Sequence, residues 1–396
     1  MHFNKGFNFI AGPNGCGKTS ILACISHCFN TGSYKYSRFG KNSSLWTDVS
    51  HDEKKYRVGL DEGSITHKGY RNSTPEQWIF PPRENDRTSI RTISAQSELS
   101  SFCPLFIGTQ RNIKYKQISG VTRENGIEKQ LGNYLTNSTQ FLYGDTTQDI
   151  KQWLINRYFI IDKHWAKEEK INWDHMIKSL PALAPFNSNF SYIRTERDLE
   201  PIFSIYGKEC YLEELSSGFQ AILFIIPSIF EWIENSNIEG SRIVTKATGT
   251  VLIDELDLHL HPEWQFTLRD GLERIFPNIQ FIVTTHSPHL LASAKENEII
   301  IMPQASEDDT YTIRPSKSTY SGWSTDQILS EVMGVVSLEN KVYEKLISQA
   351  FSSIERRSVH DLKATIETLN RVAHPNDTIV TVLKAKLSSM VATQDD

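Results

Sequence analysis

Gly12-Pro13-Asn14-Gly15-Cys16-Gly17-Lys18-Thr19 fits the phosphate-binding pattern G-x-x-x-x-G-K-[ST] at every fixed position. It restricts the chain to folds in which a buried strand delivers such a loop to the start of a helix. Both flanks comply, because Phe7-Asn8-Phe9-Ile10-Ala11 has the composition of a short buried strand and Ser20 to Phe29 that of an apolar helix. Glycines let consecutive backbone N–H groups turn inward on an anion, and the helix adds its positive end. Asn14, Gly15, Cys16, Gly17, Lys18, Thr19 and Ser20 are thus the expected nucleotide-binding residues. Lys18 is placed to reach β- and γ-phosphate oxygens, and the Thr19 hydroxyl to ligate Mg²⁺.

Two further strand ends carry chemistry. Thr250-Val251-Leu252-Ile253 reads as a buried parallel strand that ends in Asp254-Glu255. Asp254 is the candidate Mg²⁺ partner, and Glu255 the candidate to orient or deprotonate an attacking water. Asn278 to Thr285 reads as another buried strand, closed by His286, which could donate to a γ-phosphate and so sense its loss. Between the loop and these strands, Leu215-Ser216-Ser217-Gly218-Phe219-Gln220 precedes a long apolar helix, a turn that suits either an ordinary helix cap or an anion site.

The rest of the chain sorts into segments. Residues 1–48 are expected to form an N-terminal lobe that carries the phosphate loop, and 49–123 an antiparallel β arm drawn from Tyr56–Leu60, Gln77–Phe80, Ser89–Ile93 and Leu105–Ile107. Residues 124–189 are an inserted helical lobe, 190–305 a second lobe with the two strand ends, and 306–396 a helical extension broken at Pro375. A strand pair is expected around Asp308-Asp309, a hairpin turn at Gly207-Lys208, and a frayed tail from Ala392 to Asp396.

Of 396 residues, 39% are hydrophobic and 22% charged, enough for a sizeable core, and the formal net charge of −5 argues against coating nucleic acid by bulk electrostatics. Five scattered cysteines suit a reducing compartment. Cys24, His27 and Cys28 read as packing behind the phosphate loop, not as a metal site, and His259 and His261 as positioning a loop at a subunit contact. Met1 to Lys5 leads directly into the first strand without a signal peptide, and the apolar run from Phe219 to Ile233 is too short for a bilayer, so a cytoplasmic protein is expected.

The phosphate loop, the Leu215–Gln220 signature, the Asp254-Glu255 pair and His286, in that order, resemble the ABC-type ATPases of the SMC, RecF and OLD-like AAA group over about residues 5 to 305. Phe106–Arg111, Lys114-Tyr115-Lys116 and the stretch Gly322–Leu329 are similar to the PtuA family, the ATPases of Septu anti-phage defence. The resemblance implies an α/β ABC-type head that binds and hydrolyses ATP with Mg²⁺. It implies pairing as a homodimer or higher homo-oligomer, in which Ser217 and Gly218 of one copy complete the phosphate site on Lys18 of another. It also places the Q-loop glutamine, a nucleotide and Mg²⁺ contact, on Gln110, with Gln96 second, and implies an HNH nuclease partner of the PtuB type through which DNA is met. The alternative is a RecF-like repair ATPase that binds DNA itself.

Overall fold

A computed structural model of the chain describes residues 1–29, 42–51, 53–65, 76–93, 99, 102–144, 148–184, 188–236, 241–303, 313–335 and 340–392. Three apolar runs make the centre of a parallel sheet: β1 (Phe7–Ala11), the later β9 (Gly249–Ile253) and β10 (Ile279–Thr284). With β5 (Leu105–Ile107) and β11 (Ile299–Ile301) they lie in the order β11-β1-β10-β9-β5, every pairing parallel. The five strands are buried nearly throughout, as expected of a sheet covered on both faces. Their C-terminal ends therefore share one edge, where Gly12, Gly108, Asp254 and Thr285 each directly follow their strand.

Helix α1 (Lys18–Phe29) leaves that edge directly from the phosphate loop. The β arm consists of β2 (Leu45–His51), β3 (Lys54–Leu60) and β4 (Thr88–Ile90). It differs from the expected antiparallel arm in three respects. β2 and β3 are antiparallel, but β4 pairs parallel with β3. Leu105–Ile107 joins the central sheet instead, consistent with the burial of all three residues. Gln77–Phe80 is not a strand; it is tied to β3 irregularly, with the Trp78 indole donating to Gly59 O at 3.1 Å and Asp61 N to Ile79 O at 2.9 Å.

The inserted lobe contains α2 (Ile127–Tyr143), α3 (Ile150–Ile160) and α4 (Lys167–Leu183). A second small sheet follows, β6 (Ser191–Thr195), β7 (Pro201–Ile205) and β8 (Lys208–Tyr211), antiparallel throughout. Its β7–β8 turn is Tyr206-Gly207, with φ of 50° and 75°, the mirror-type two-residue turn whose twist suits a hairpin. The signature stretch opens α5 (Ser217–Ser236), buried along almost its whole length. Buried Arg157 of α3 donates through Nε to Glu234 Oε2 at 2.6 Å, and Asn172 of α4 donates to Glu234 Oε1 at 3.1 Å, so one carboxylate ties both lobe helices to α5.

Helix α6 (Pro262–Ile275) starts on a proline at N1, and α7 (Pro288–Ser293) is capped by Ser287. Past β11 come α8 (Thr325–Gln327), a π-helical turn (Ile328–Val332), α9 (Lys341–Glu355), α10 (Val359–Val372) and α11 (Thr378–Ala392). The chain divides into one unit of Met1–Ile328 with Val332–Gly334 and a second of Leu329–Glu331 with Val335–Asp396. The second unit has its own core of Ala350, Leu362, Ile366, Leu369, Val380 and Leu383. Its helices break at Arg356-Arg357, where Arg357 has φ 55° and Ser358 caps the next helix, as well as near Pro375. The strand pair expected around Asp308-Asp309, Gln96 and the tail beyond Ala392 lie outside the described residues.

Candidate functional site

The phosphate loop begins where β1 ends. A Cβ on Gly12 would stand 2.6 Å from Met302 O, so only glycine lets the turn pass β11 so closely. Asn14, Gly15 and Ser20 are exposed, Gly17 and Thr19 half-buried, Cys16 buried. Lys18 is 6% exposed and folds back over its own loop, donating from Nζ to Gly12 O and Pro13 O, both at 3.0 Å. A third, longer contact runs from Nζ to Cys16 Sγ at 4.0 Å, and an ammonium held by two carbonyls and a sulfur above exposed backbone is a ready anion receptor.

Across the sheet edge, Thr19 Oγ1 donates to the Asp254 carboxylate at 3.0 and 3.1 Å. Thr284 Oγ1 donates to Asp254 Oδ1 at 2.6 Å and accepts the Glu255 N–H at 2.7 Å. Glu255 has φ 50°, in the left-handed region that costs a non-glycine residue free energy, and its side chain is half-buried. Asp257 accepts from Thr285 Oγ1 at 2.6 Å and from His286 N at 3.1 Å, which fixes the backbone that presents the exposed His286 ring. The hydroxyl and carboxylate oxygens of Thr19 and Asp254 are a donor set that fits a hard dication such as Mg²⁺.

Behind these acids lies Arg111, 1% exposed. Its Nε donates to Gly108 O at 2.9 Å and its Nη2 to Asp254 O. Burial pulls the guanidinium down to about 10, against the opposing charges of Asp254, Asp257 and Glu255, so it stays cationic at neutral pH. Sequence reasoning gave no role to Arg111, Thr284 or Asp257. The available signal was positional: each is polar and lies within four residues of the end of an apolar strand.

Gln110 is placed differently. Its side chain is exposed and lies over Gly144 at the C-terminal cap of α2, where an added Cβ would fall 2.1 Å from its Cγ. Among the described residues it makes no hydrogen bond with Thr19 or Asp254. Ser217 is exposed at the start of α5, and in the single chain no hydrogen bond links Ser217 or Gly218 to the phosphate loop among the described residues. Gly218 is pressed on α6: a Cβ there would lie 2.5 Å from Trp264 Cζ3 and 3.0 Å from His259 O. Gln220 accepts from Ile113 N at 3.3 Å and donates to Glu213 O and Leu215 O at 3.1 and 3.0 Å, so it shapes the signature turn from within.

Of the histidines, His261 accepts from Glu263 N at 3.4 Å and caps α6, while His259 has φ 67° on the turn before it. Behind the phosphate loop, burial lowers His27 to about 3 and raises Cys24 to about 11 and Cys28 to about 12. These groups are therefore a neutral imidazole and two thiols at neutral pH. No described helix is long and apolar enough to cross a membrane.

A sequence profile described as "AAA domain" matches residues 1–201, half of the chain. The chain belongs to the AAA-domain family. A second AAA-domain profile, whose description also names the AbiEii toxin of a type IV TA system, matches residues 138–292 of this AAA-domain chain. It is 28% identical over 395 residues to the Septu protein PtuA of Bacillus thuringiensis, covering 98% of this chain and 93% of that protein. It is also 28% identical over 237 residues to the "Retron Ec83 probable ATPase" of Escherichia coli, covering 58% of this chain and 43% of that one. Among solved structures, the SMC head domain from Thermotoga maritima aligns with a TM-score of 0.43 at 14% identity, over 80% of this chain and 93% of that one. By these comparisons the chain is an AAA-domain protein similar to PtuA.

Proposed function

We propose that this chain is the ATP-binding, ATP-hydrolysing regulatory subunit of an anti-phage defence complex, in which paired heads gate an HNH nuclease partner. The similarity to PtuA along 98% of the chain carries this reading, because it spans the arm, lobe and helical extension as well as the nucleotide site. The proximity of Thr19 to Asp254 supports the ATPase part, since it joins loop and acidic strand end into one site.

In this reading Lys18 leaves the Gly12 and Pro13 carbonyls for β- and γ-phosphate oxygens. Asn14 to Ser20 line the phosphates, and Thr19 and Asp254 hold Mg²⁺, with Gln110 joining them only if its side chain swings away from Gly144. Bound Mg²⁺ supplies charge neutralisation at the phosphate oxygens. Glu255 orients the water, a role worth about 10²–10⁴ in rate. His286 donates to the γ-phosphate, and its exposure leaves the ring free to do so. Ser217, exposed beside the buried Gly218 at the start of α5, faces the nucleotide of a second copy.

The test is phage plating on cells that carry the native operon. Lys18→Ala should restore plaques to the level of cells without the operon. Unchanged protection by that variant contradicts an ATP-dependent defence role, and salt-sensitive DNA binding by the isolated chain would point to the repair reading instead.

A further inference from the structure

The peptide group between Asp254 and Glu255 is held at both of its polar atoms. Its C=O accepts from Arg111 Nη2, and its N–H donates to Thr284 Oγ1 at 2.7 Å. The same Thr284 hydroxyl donates to the Asp254 carboxylate at 2.6 Å, so the side chain and the following peptide are oriented together. Glu255 then takes φ 50°, a conformation that non-glycine residues keep only when their surroundings over-determine it.

Arg111 is well suited to be one jaw of this clamp. Its Nε bond to Gly108 O closes its own loop just past β5, and β5 is paired with β9 through Ile107 and Ile253. Asp254 N donates to Ile107 O at 2.9 Å, so the guanidinium extends the β5–β9 ladder one rung beyond its last backbone bond. Three carboxylates, Asp254, Glu255 and Asp257, crowd the turn it supports. A buried cation behind them offsets their mutual repulsion. Nη1 is enclosed without a hydrogen-bond partner among the described residues, a burden of about 1–3 kcal/mol for a buried donor. A residue selected for packing alone would not need that charge.

We infer that Arg111 is a positioning residue for hydrolysis: with Thr284 it clamps the Asp254–Glu255 peptide and so aims the Glu255 carboxylate at the water. This rests on the hydrolytic role proposed above for Glu255. Arg111 touches neither nucleotide nor water in this scheme, so its loss should act on turnover and not on binding. Lysine retains the charge, but its three N–H donors radiate from one nitrogen and lack the planar fork by which Nε and Nη2 reach Gly108 O and Asp254 O.

Arg111→Lys is compared with wild type by steady-state ATP hydrolysis, by binding of a fluorescent ATP analogue, and by hydrogen exchange at the Glu255 amide. We expect kcat to fall about 100-fold with KM and analogue affinity within about threefold, and Glu255 exchange to quicken about tenfold. Unchanged kcat, or unchanged exchange protection at Glu255, overturns the inference. Equal losses of binding and turnover make Arg111 merely structural and overturn it too. Should the lysine variant fail to fold, Arg111→Gln is read in the same way, and failure of both to fold also overturns it. If wild type does not hydrolyse ATP, the proposed function fails, while the exchange measurement still decides whether Arg111 holds the peptide.

Discussion

Thr19 and Asp254 meet side chain to side chain, Oγ1 to Oδ1 at 3.0 Å, although 235 positions separate them. One opens α1 and the other closes β9, and the parallel order β1-β10-β9 brings both to the same sheet edge. Nucleotide binding and hydrolysis can then be separated residue by residue.

Lys18→Ala removes the ammonium that, in the proposed site, leaves the Gly12 and Pro13 carbonyls for the phosphates. Affinity for ATP, measured by calorimetry, should weaken roughly 100-fold. Loss of the two Nζ bonds to the Gly12 and Pro13 carbonyls should lower the melting temperature without nucleotide by no more than a few degrees. Retained affinity would show that Lys18 keeps its carbonyl contacts in the bound state.

Glu255→Gln preserves size and hydrogen-bonding capacity but removes the carboxylate proposed to orient the water. Binding should stay within about threefold, and hydrolysis should drop about 10²–10⁴-fold. Assemblies closed on ATP should accumulate and be seen by mass photometry. Hydrolysis equal to wild type would move the water-orienting role to another residue.

Gly218→Ala tests how the signature turn is seated. The added methyl meets the Trp264 ring at 2.5 Å and His259 O at 3.0 Å, so α5 must shift relative to α6. Overpacking of this kind costs about 1–3 kcal/mol, a drop of several degrees in thermal melting. ATP hydrolysis should fall with it. A variant that melts and turns over like wild type would mean that the Trp264 ring yields freely.

Glu231 makes stability depend on pH. Enclosure of its carboxyl raises the pKa to about 8 from an ordinary 4.5, with the Arg157 charge opposing, and Oε2 has no hydrogen-bond partner among the described residues. Between those values the folded protein holds more protons than the unfolded chain, so this contribution is complete below about pH 4.5 and is lost as pH rises towards 8. Glu231→Gln should therefore gain melting temperature over wild type more at pH 8 than at pH 5. The same difference at both pH values would contradict the raised pKa.

Much of the candidate site was legible because each of its parts is contiguous in sequence. The phosphate loop, Asp254-Glu255 and His286 each follow an apolar run that cannot be anything but interior, and β1, β9 and β10 lie where those runs fall. The peripheral sheets were harder. β2 reads Leu-Trp-Thr-Asp-Val-Ser-His, with only Leu45 and Val49 buried, too polar for a strand to stand out. Leu105–Ile107 is only three residues long, and which sheet such a run joins is decided by partners more than a hundred residues away. The same holds for the site's supports. Arg111, Thr284 and Asp257 act through backbone atoms of distant residues, and no local spacing encodes that.

The most direct measurement is purification of the complex expressed from the native operon, with and without ATP, followed by mass determination. We expect an HNH protein to co-purify with at least two copies of this chain, and Lys18→Ala to abolish the change that ATP makes to the assembly. A chain recovered alone, with the same mass in every nucleotide state, would contradict the proposal that its heads pair on ATP to gate a nuclease.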